Sequence, residues 1–185
     1  AASEVDATAR QSLIKTQDGD LRARWERLFA IRAAADREAV IHQFQPALQL
    51  AGDRRRGAAL CAKLCLTCHA VQGQGNQVSP DLTSVASRAK ESLLVDLLDP
   101  SRQISTDYLS YTLTTTAGES VSGLIANESA TAVTLRAAGT LDTTVPRAQI
   151  AELRADGKSL MPDGLEQGLT AQDVADLLEF LSTLK

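Results

Sequence analysis

The stretch CAKLCLTCHAV, residues 61–71, places three cysteines within eight positions and puts a histidine directly after the last of them. Counted from Cys65, the letters spell C-x-x-C-H. Counted from Cys61, they spell C-x-x-x-C-x-x-C. The two spacings predict different cofactors and different folds, so the rest of the chain has to be consistent with one of them.

The spacing from Cys65 is the attachment signature for covalently bound haem. Two thiols at this spacing meet the two vinyl groups of a porphyrin, and the adjacent histidine is carried beneath the iron. His69 follows Cys68 without a gap. We therefore predict one haem c per chain, bound covalently through Cys65 and Cys68, with His69 as a metal ligand.

Three other kinds of cysteine site have similar residue spacing, and the sequence favours none of them. An iron–sulfur cluster of the type that cleaves S-adenosylmethionine needs a large barrel of alternating strands and helices, which is not predicted after Cys68. Zinc could take Cys61, Cys65, Cys68 and His69, but two adjacent ligands strain a closed tetrahedral site. A thioredoxin-type C-x-x-C follows a strand and opens a helix, whereas a helix is predicted before this one.

Met161 is the only methionine in the chain and is predicted to lie in a loop before the last helix. A low-spin haem carrier usually has two axial ligands. The residue before a proline is held extended, which suits Met161 for presenting its thioether to a metal. We predict Met161 as the second axial ligand and the other histidine, His42, as an ordinary surface or packed residue.

Helical periodicity dominates both ends of the chain. Residues 21–29 and 36–44 predict N-terminal helices, with Pro46 ending or kinking the second. Asp53 is placed to cap a helix running into the cysteines, and residues 87–101 predict an amphipathic helix. Thr170 and Asp173 form a capping-box pattern for a helix at the C-terminal end.

Between these helices the period changes to two. Leu109, Tyr111 and Leu113 alternate with polar residues, and residues 107–155 predict four or five short antiparallel strands that can close into a small barrel. The predicted fold is mainly α, with this antiparallel β-meander or barrel inserted and with an N-terminal helical extension. The predicted regions are a helical extension over 1–50, a haem domain over 51–185 and the insertion over 107–155.

The composition excludes several functions. The chain has 185 residues, 44% hydrophobic and 23% charged, with a net charge of −4, which argues against nucleic-acid binding. No apolar run approaches membrane-spanning length. AASEVDATAR, residues 1–10, lacks the basic start and apolar stretch of a signal peptide, so we expect a cytosolic chain, a mature exported form or a fragment.

Residues 53–185 resemble the class I cytochromes c, apart from the strand region. In that family a glycine and an aromatic residue precede the first haem cysteine by eight and four positions. Gly57 matches the first, and Cys61 replaces the aromatic residue. SPDL, residues 79–82, is similar to the family's G-P-D-L, which implies that the Pro80 carbonyl accepts the Nδ1 proton of His69. SLMP, residues 159–162, is similar to the family's distal loop, which implies Met161 as sixth ligand.

A closer resemblance is to the haem-binding domains at the C-terminal end of large exported proteins of planctomycetes and verrucomicrobia. It extends from PALQLAGDRRRGAAL, which begins at residue 46, to the end of the chain and includes the strand insertion. It implies that residues 1–50 are the end of a helical region, and that the partner is a redox protein or a parent dehydrogenase domain. Haem attachment through thioethers takes place outside the bacterial cytoplasm, so we expect a periplasmic or otherwise extracytoplasmic location.

These features predict an electron-transfer protein, or the electron-transfer domain of a larger oxidoreductase, rather than an enzyme in its own right. The alternative is a haem-based gas sensor or a peroxidase-like enzyme in which Met161 dissociates readily. For the strand insertion, a lid that extends the loop to Met161 is favoured over a docking module. Cys61 is expected to fill a helix-packing position, with a disulfide-linked dimer as the alternative.

Overall fold

The computed structural model describes residues 36–137, 139 and 141–184. Within these ranges the chain forms four α-helices, an antiparallel sheet of five strands and a two-stranded hairpin. The chain divides into two compact units, Ala1–Gln43 and Phe44–Lys185. The predicted helix at 21–29 lies outside the described residues. None of the described helices is long and apolar enough to cross a membrane.

Helix α1 occupies residues 36–44 and passes into a short 3₁₀ helix, Gln45–Gln49. Pro46 lies in the first turn of the 3₁₀ segment, where its missing N–H is tolerated. Ile41 and Phe44 are buried, and His42 is exposed. The change of helix type at Pro46 agrees with the prediction that this proline ends the α-helix.

The helices of the second unit are α2, Arg54–Leu64, α3, Lys90–Leu98, and α4, Ala171–Ser182. The Asp53 side chain accepts hydrogen bonds from the backbone N–H groups of Arg55 and Arg56, which confirms the predicted cap of α2. Thr170 and Asp173 form the predicted capping box of α4. The connection from α2 to α3 contains a hairpin and a short 3₁₀ helix. The hairpin strands are β1 (Ala70–Val71) and β2 (Gln74–Gly75), and the 3₁₀ helix is Leu82–Val85.

Helices α2 and α4 cross at Gly57. A Cβ atom at this position would collide with the backbone carbonyl oxygen of Asp176 and would lie 2.8 Å from the Cβ of Phe180. Only glycine therefore allows the two backbones to approach this closely. The apolar stripe of α4, which includes Val174, Leu177, Leu178 and Leu181, is buried, as its helical spacing predicts.

The larger sheet contains β3 (Leu109–Thr115), β4 (Ser120–Glu128), β5 (Ala132–Arg136), β6 (Thr143–Pro146) and β7 (Ile150–Ser159). The strand order is β6-β5-β4-β3-β7, with antiparallel pairing throughout. Leu113, Val133, Leu135 and Val145 form its buried core. The first four strands are a meander, and β7 joins the opposite edge.

The sheet is strongly curled, because β6 and β7 are its two edges and are joined by only three residues. Five strands in a flat sheet would place the edges about 19 Å apart, at about 4.8 Å per pair. The 3₁₀ helix Arg147–Gln149 that connects them rises only about 6 Å. Two backbone hydrogen bonds hold this crossing, from Arg147 N to Thr131 O (2.8 Å) and from Thr116 N to Gln149 O (2.9 Å).

The described residues form a mixed α and β structure, whereas the sequence predicted a mainly α fold. Strands contain about as many described residues as helices do. β7 runs from Ile150 to Ser159, four residues past the predicted end of the insertion at residue 155. Its sequence, IAELRADGKS, lacks the regular alternation that marks a half-buried strand.

Candidate functional site

The C-x-x-C-H segment forms a single turn at the C-terminal end of α2. Cys65 is the C-cap residue of the helix, and its carbonyl oxygen accepts from the N–H groups of Cys68 (3.0 Å) and His69 (2.9 Å). Both Cys65 and Cys68 are half-buried and carry free thiols. Two thiols and one imidazole are thus held together by one local fold.

The His69 ring is oriented by a backbone carbonyl. Its Nδ1–H donates to Pro80 O at 2.7 Å, as the resemblance in the sequence implies. This bond fixes the tautomer and leaves Nε2 as the nitrogen with a free lone pair. Burial lowers the pKa of His69, with the bond to Pro80 acting against it. The imidazole is therefore neutral at pH 7, which is the form that binds a metal.

Pro80 is held in place because the preceding loop folds back over the cysteine turn. The N–H groups of Val78 and Ser79 donate to the Cys68 carbonyl at 3.1 and 2.9 Å. The Asn76 N–H donates to Leu66 O at 3.0 Å, and the Asn76 side chain donates to Thr67 O at 3.0 Å. The loop therefore makes its hydrogen bonds to the segment that carries the thiols.

Cys61 lies one helical turn before Cys65 and is only 2% exposed. Its thiol is in hydrogen-bonding contact with that of Cys65, and this contact, with burial, raises the pKa of the Cys65 thiol. Cys61 therefore occupies the packing position expected from the sequence. Among the described residues, no group of three or more histidine, cysteine or acidic side chains is arranged to hold a metal ion.

Met161 is placed by different elements from those that place His69. It follows β7 by two residues and is half-buried, and its N–H donates to Ser159 Oγ at 3.2 Å. The segment after it leads into α4, which packs on α2 across Gly57. Met161 is therefore connected at both ends to elements of the second unit.

The sheet also borders the loop that precedes Pro80. A cavity of about 530 Å³ is lined on one side by Asn76, Gln77 and Val78. Its other side is lined by Arg136 at the end of β5 and by Leu141 and Asp142 from the β5–β6 connection. Leu141 is 90% exposed. The strand insertion thus lies beside the cysteine and histidine segment.

These residues fit a covalently bound haem. Cys65 and Cys68 have the spacing, the free sulfurs and the partial exposure needed for two thioether bonds, and His69 has an oriented neutral ring with Nε2 available. Residues 55–110 match the family model for cytochrome c.

The match identifies a cytochrome c domain over residues 55–110, and that family implies covalently bound haem and electron transfer. It includes most of α2, the cysteine turn, Pro80 and α3, and it stops at the start of β3. Most of the sheet, Met161 and α4 lie beyond it. No curated protein matches the chain. The C-terminal part of the chain contacts the matched region, because α4 packs on α2 at Gly57.

The sequence did not identify three residues of this region. Asp176 is a charged residue inside the apolar stripe of α4, which was an available signal for a buried interaction. Ser159 and Ser101, which fix the segment before Met161, carry no signal, because serine is common in loops. Their positions depend on how β7 and the end of α3 meet in three dimensions.

Proposed function

We propose that the chain transfers single electrons through one covalently bound haem c. Cys65 and Cys68 would form the thioether bonds, and His69 and Met161 would be the axial ligands. The observation that supports this most strongly is the 2.7 Å hydrogen bond from His69 Nδ1 to Pro80 O, within a C-x-x-C-H turn whose thiols are free. When bound, the haem supplies a ferric/ferrous couple.

The protein's part in this function is to hold the ligands and restrict water. The Pro80 carbonyl accepts a hydrogen bond from the Nδ1–H of His69, which increases electron density on the ring. This makes the Nε2 lone pair a stronger metal ligand. The thioether of Met161 is a soft neutral ligand that favours the reduced state and raises the potential relative to a second histidine. A half-buried site favours the reduced state further.

The support for Met161 comes from its place in the chain. It precedes Pro162, its N–H is fixed by Ser159, and it stands between the sheet and α4. The alternative is a gas sensor or a peroxidase-like enzyme, which would use the same thiols and histidine. In that case Met161 would dissociate readily and leave its position to small ligands.

We also propose the setting in which the protein works. Cytochrome c domains are usually extracytoplasmic, which favours the periplasm or another exported location. The partner would be a redox protein or a parent dehydrogenase domain. The resemblance to planctomycete and verrucomicrobial C-terminal haem-binding domains supports a place within a larger exported oxidoreductase, in which residues 1–50 form a helical extension of the 51–185 haem domain.

The test is the visible absorption spectrum of the wild type, Met161→Ala and Leu160→Ala, each expressed with haem-attachment machinery and recorded oxidised and reduced. Leu160 is the half-buried neighbour in the same loop, so Leu160→Ala is a matched control. We expect a weak sulfur-to-ferric-iron band in the wild type and in Leu160→Ala, and its loss in Met161→Ala.

Two other results would change the assignment. A high-spin wild type that binds carbon monoxide at neutral pH would favour the sensor or enzyme alternative. A wild type without covalent haem would contradict the proposal as a whole.

A further inference from the structure

Strand β7 contains an irregularity just before Met161. Tyr111 pairs with Ala155, and Leu109 pairs with Ser159, so β7 advances four residues while β3 advances two. The additional residues lie between Ala155 and Ser159. Gly157, at φ 65°, takes the left-handed conformation that this bulge requires. A bulge of this kind bends the strand and redirects the residues that follow it.

The bulge is pinned by a half-buried carboxylate. Asp156 accepts hydrogen bonds from Ser110 Oγ (3.0 Å) and Thr112 Oγ1 (3.1 Å) on β3. Arg154 Nη2 lies 3.2 Å from its other oxygen. Ser110 is only 7% exposed, so its hydroxyl depends on this partner. The bulge is therefore fixed to the neighbouring strand by side chains as well as by backbone pairing.

Beyond the bulge, two serines connect the end of β7 to Met161 and to the end of α3. The Ser159 N–H donates to Ser101 Oγ, and the Met161 N–H donates to Ser159 Oγ, each at 3.2 Å. Ser101 follows the buried residues Leu98 and Pro100 at the end of α3. The backbone of Met161 is thus anchored to the sheet and, through Ser159, to the buried end of α3.

From this arrangement we infer that the inserted sheet is a tether for Met161, with Ser159 and Ser101 as positioning residues that slow the departure of the Met161 thioether from the haem iron. This inference rests on the proposed His69/Met161 ligation. A thioether is a weak neutral ligand, so its retention depends on how firmly its backbone is held when the bond to the metal breaks. Pre-ordering of a ligand segment reduces the entropy lost each time the bond forms again.

The main experiment measures how fast imidazole displaces the distal ligand in the oxidised, haem-loaded protein. The variants are Ser159→Ala, Ser101→Ala and the control Ser120→Ala. Ser120 is on the same sheet, where its hydroxyl pairs with Thr114 at an exposed site, so Ser120→Ala removes the same atom and leaves the Ser101–Ser159–Met161 connection intact. We expect Ser159→Ala to accelerate displacement about fivefold, the value of one hydrogen bond of about 1 kcal/mol. Ser101→Ala should have a smaller effect in the same direction.

Amide hydrogen exchange gives a second readout that does not depend on electron transfer. A peptide containing Met161 should exchange faster in Ser159→Ala than in wild type or Ser120→Ala, because the Met161 N–H has lost its acceptor. The free energy of global unfolding should differ little between Ser159→Ala and Ser120→Ala. Asp156→Ala should show the same faster displacement, since it releases the bulge.

The outcomes separate the tether from the ligation. Suppose that Met161→Ala changes the spectrum, but that Ser159→Ala and Asp156→Ala have the same amide exchange rate and the same imidazole displacement rate as Ser120→Ala. The tether is then wrong, and the ligation by Met161 stands. If Met161→Ala leaves the spectrum and displacement rate of the wild type intact, both are wrong. Faster displacement and faster exchange in Ser159→Ala than in Ser120→Ala, with Met161→Ala lacking the sulfur band, would support both.

Discussion

The Arg56 guanidinium donates two hydrogen bonds to the buried carboxylate of Asp176, from Nε to Oδ2 at 2.5 Å and from Nη2 to Oδ1 at 3.0 Å. The same carboxylate accepts from Asp53 N (2.7 Å) and from the Gln172 amide (2.9 Å). Asp176 is 1% exposed. This pair joins the start of α2 to the middle of α4, next to the close contact at Gly57, and thereby holds the C-terminal helix against the helix that carries the cysteines.

Removing this carboxylate should destabilise the protein. Asp176→Ala is expected to lower the free energy of unfolding by about 2 kcal/mol, because it leaves the partly buried Asp53 N–H without its acceptor. The figure is below that of a fully buried pair, since the Arg56 side chain is 59% exposed and can be hydrated. Denaturant unfolding measures the change.

The control for this variant is Asp142→Ala. Asp142 pairs with Arg136 at a site where both side chains are 40% exposed, and surface pairs of this kind contribute about 0–1 kcal/mol. An equal loss of stability in both variants would show that the Asp176 network contributes no more than a surface ion pair.

The same carboxylate should make stability depend on pH in the acid range. Hydrogen bonds from Arg56, Asp53 N and Gln172 lower the pKa of Asp176 from 3.8 to about 2. Because the folded-state pKa is below the unfolded one, the stabilisation is complete above about pH 4 and is lost as the pH falls towards 2. The difference in unfolding free energy between wild type and Asp176→Asn should shrink across this window. A difference that stays constant from pH 6 to pH 2 would contradict the assignment.

Gly57→Ala should destabilise the crossing of α2 and α4. The added methyl group would collide with the Asp176 carbonyl and press on Phe180, which we expect to cost about 1–3 kcal/mol. Alanine's better helix propensity, about 1 kcal/mol, opposes this without cancelling it. The matched control is Arg55→Ala on the exposed face of α2, which should change the unfolding free energy by less than about 0.5 kcal/mol. A Gly57→Ala variant as stable as the wild type would show that the helices can separate freely.

The three cysteines should differ in their contribution to haem attachment. Cys61→Ala should retain covalent haem, because Cys61 is buried in the helix packing and has no place in the C-x-x-C-H turn. Cys65→Ala and Cys68→Ala should each leave at most one thioether bond. Intact-protein mass and haem staining under denaturing conditions measure this directly. Loss of haem from Cys61→Ala alone would assign that thiol a role in attachment.

The local features of the site were predictable from sequence because each depends on neighbouring residues. Spacing and residue type within a few positions specify the C-x-x-C-H turn, the caps at Asp53 and Thr170, and the burial of Cys61. Pro80 was predicted as the partner of His69 through a short motif, and the structure places its carbonyl 2.7 Å from Nδ1. The strand region was predicted as well, but the length of β7 was not, since a bulge at Gly157 interrupts its pattern.

The sequence by itself therefore determined the C-x-x-C-H turn and most element types, because spacing and capping act over distances of a few residues. Tertiary structure alone decided which distant segments meet: α4 on α2 at Gly57 and Asp176, β7 beside β3 instead of β6, and the Ser101–Ser159–Met161 connection. These contacts join residues that are far apart in the chain. They depend on the curl of the sheet and the close approach of two helices, which no local pattern of residues specifies.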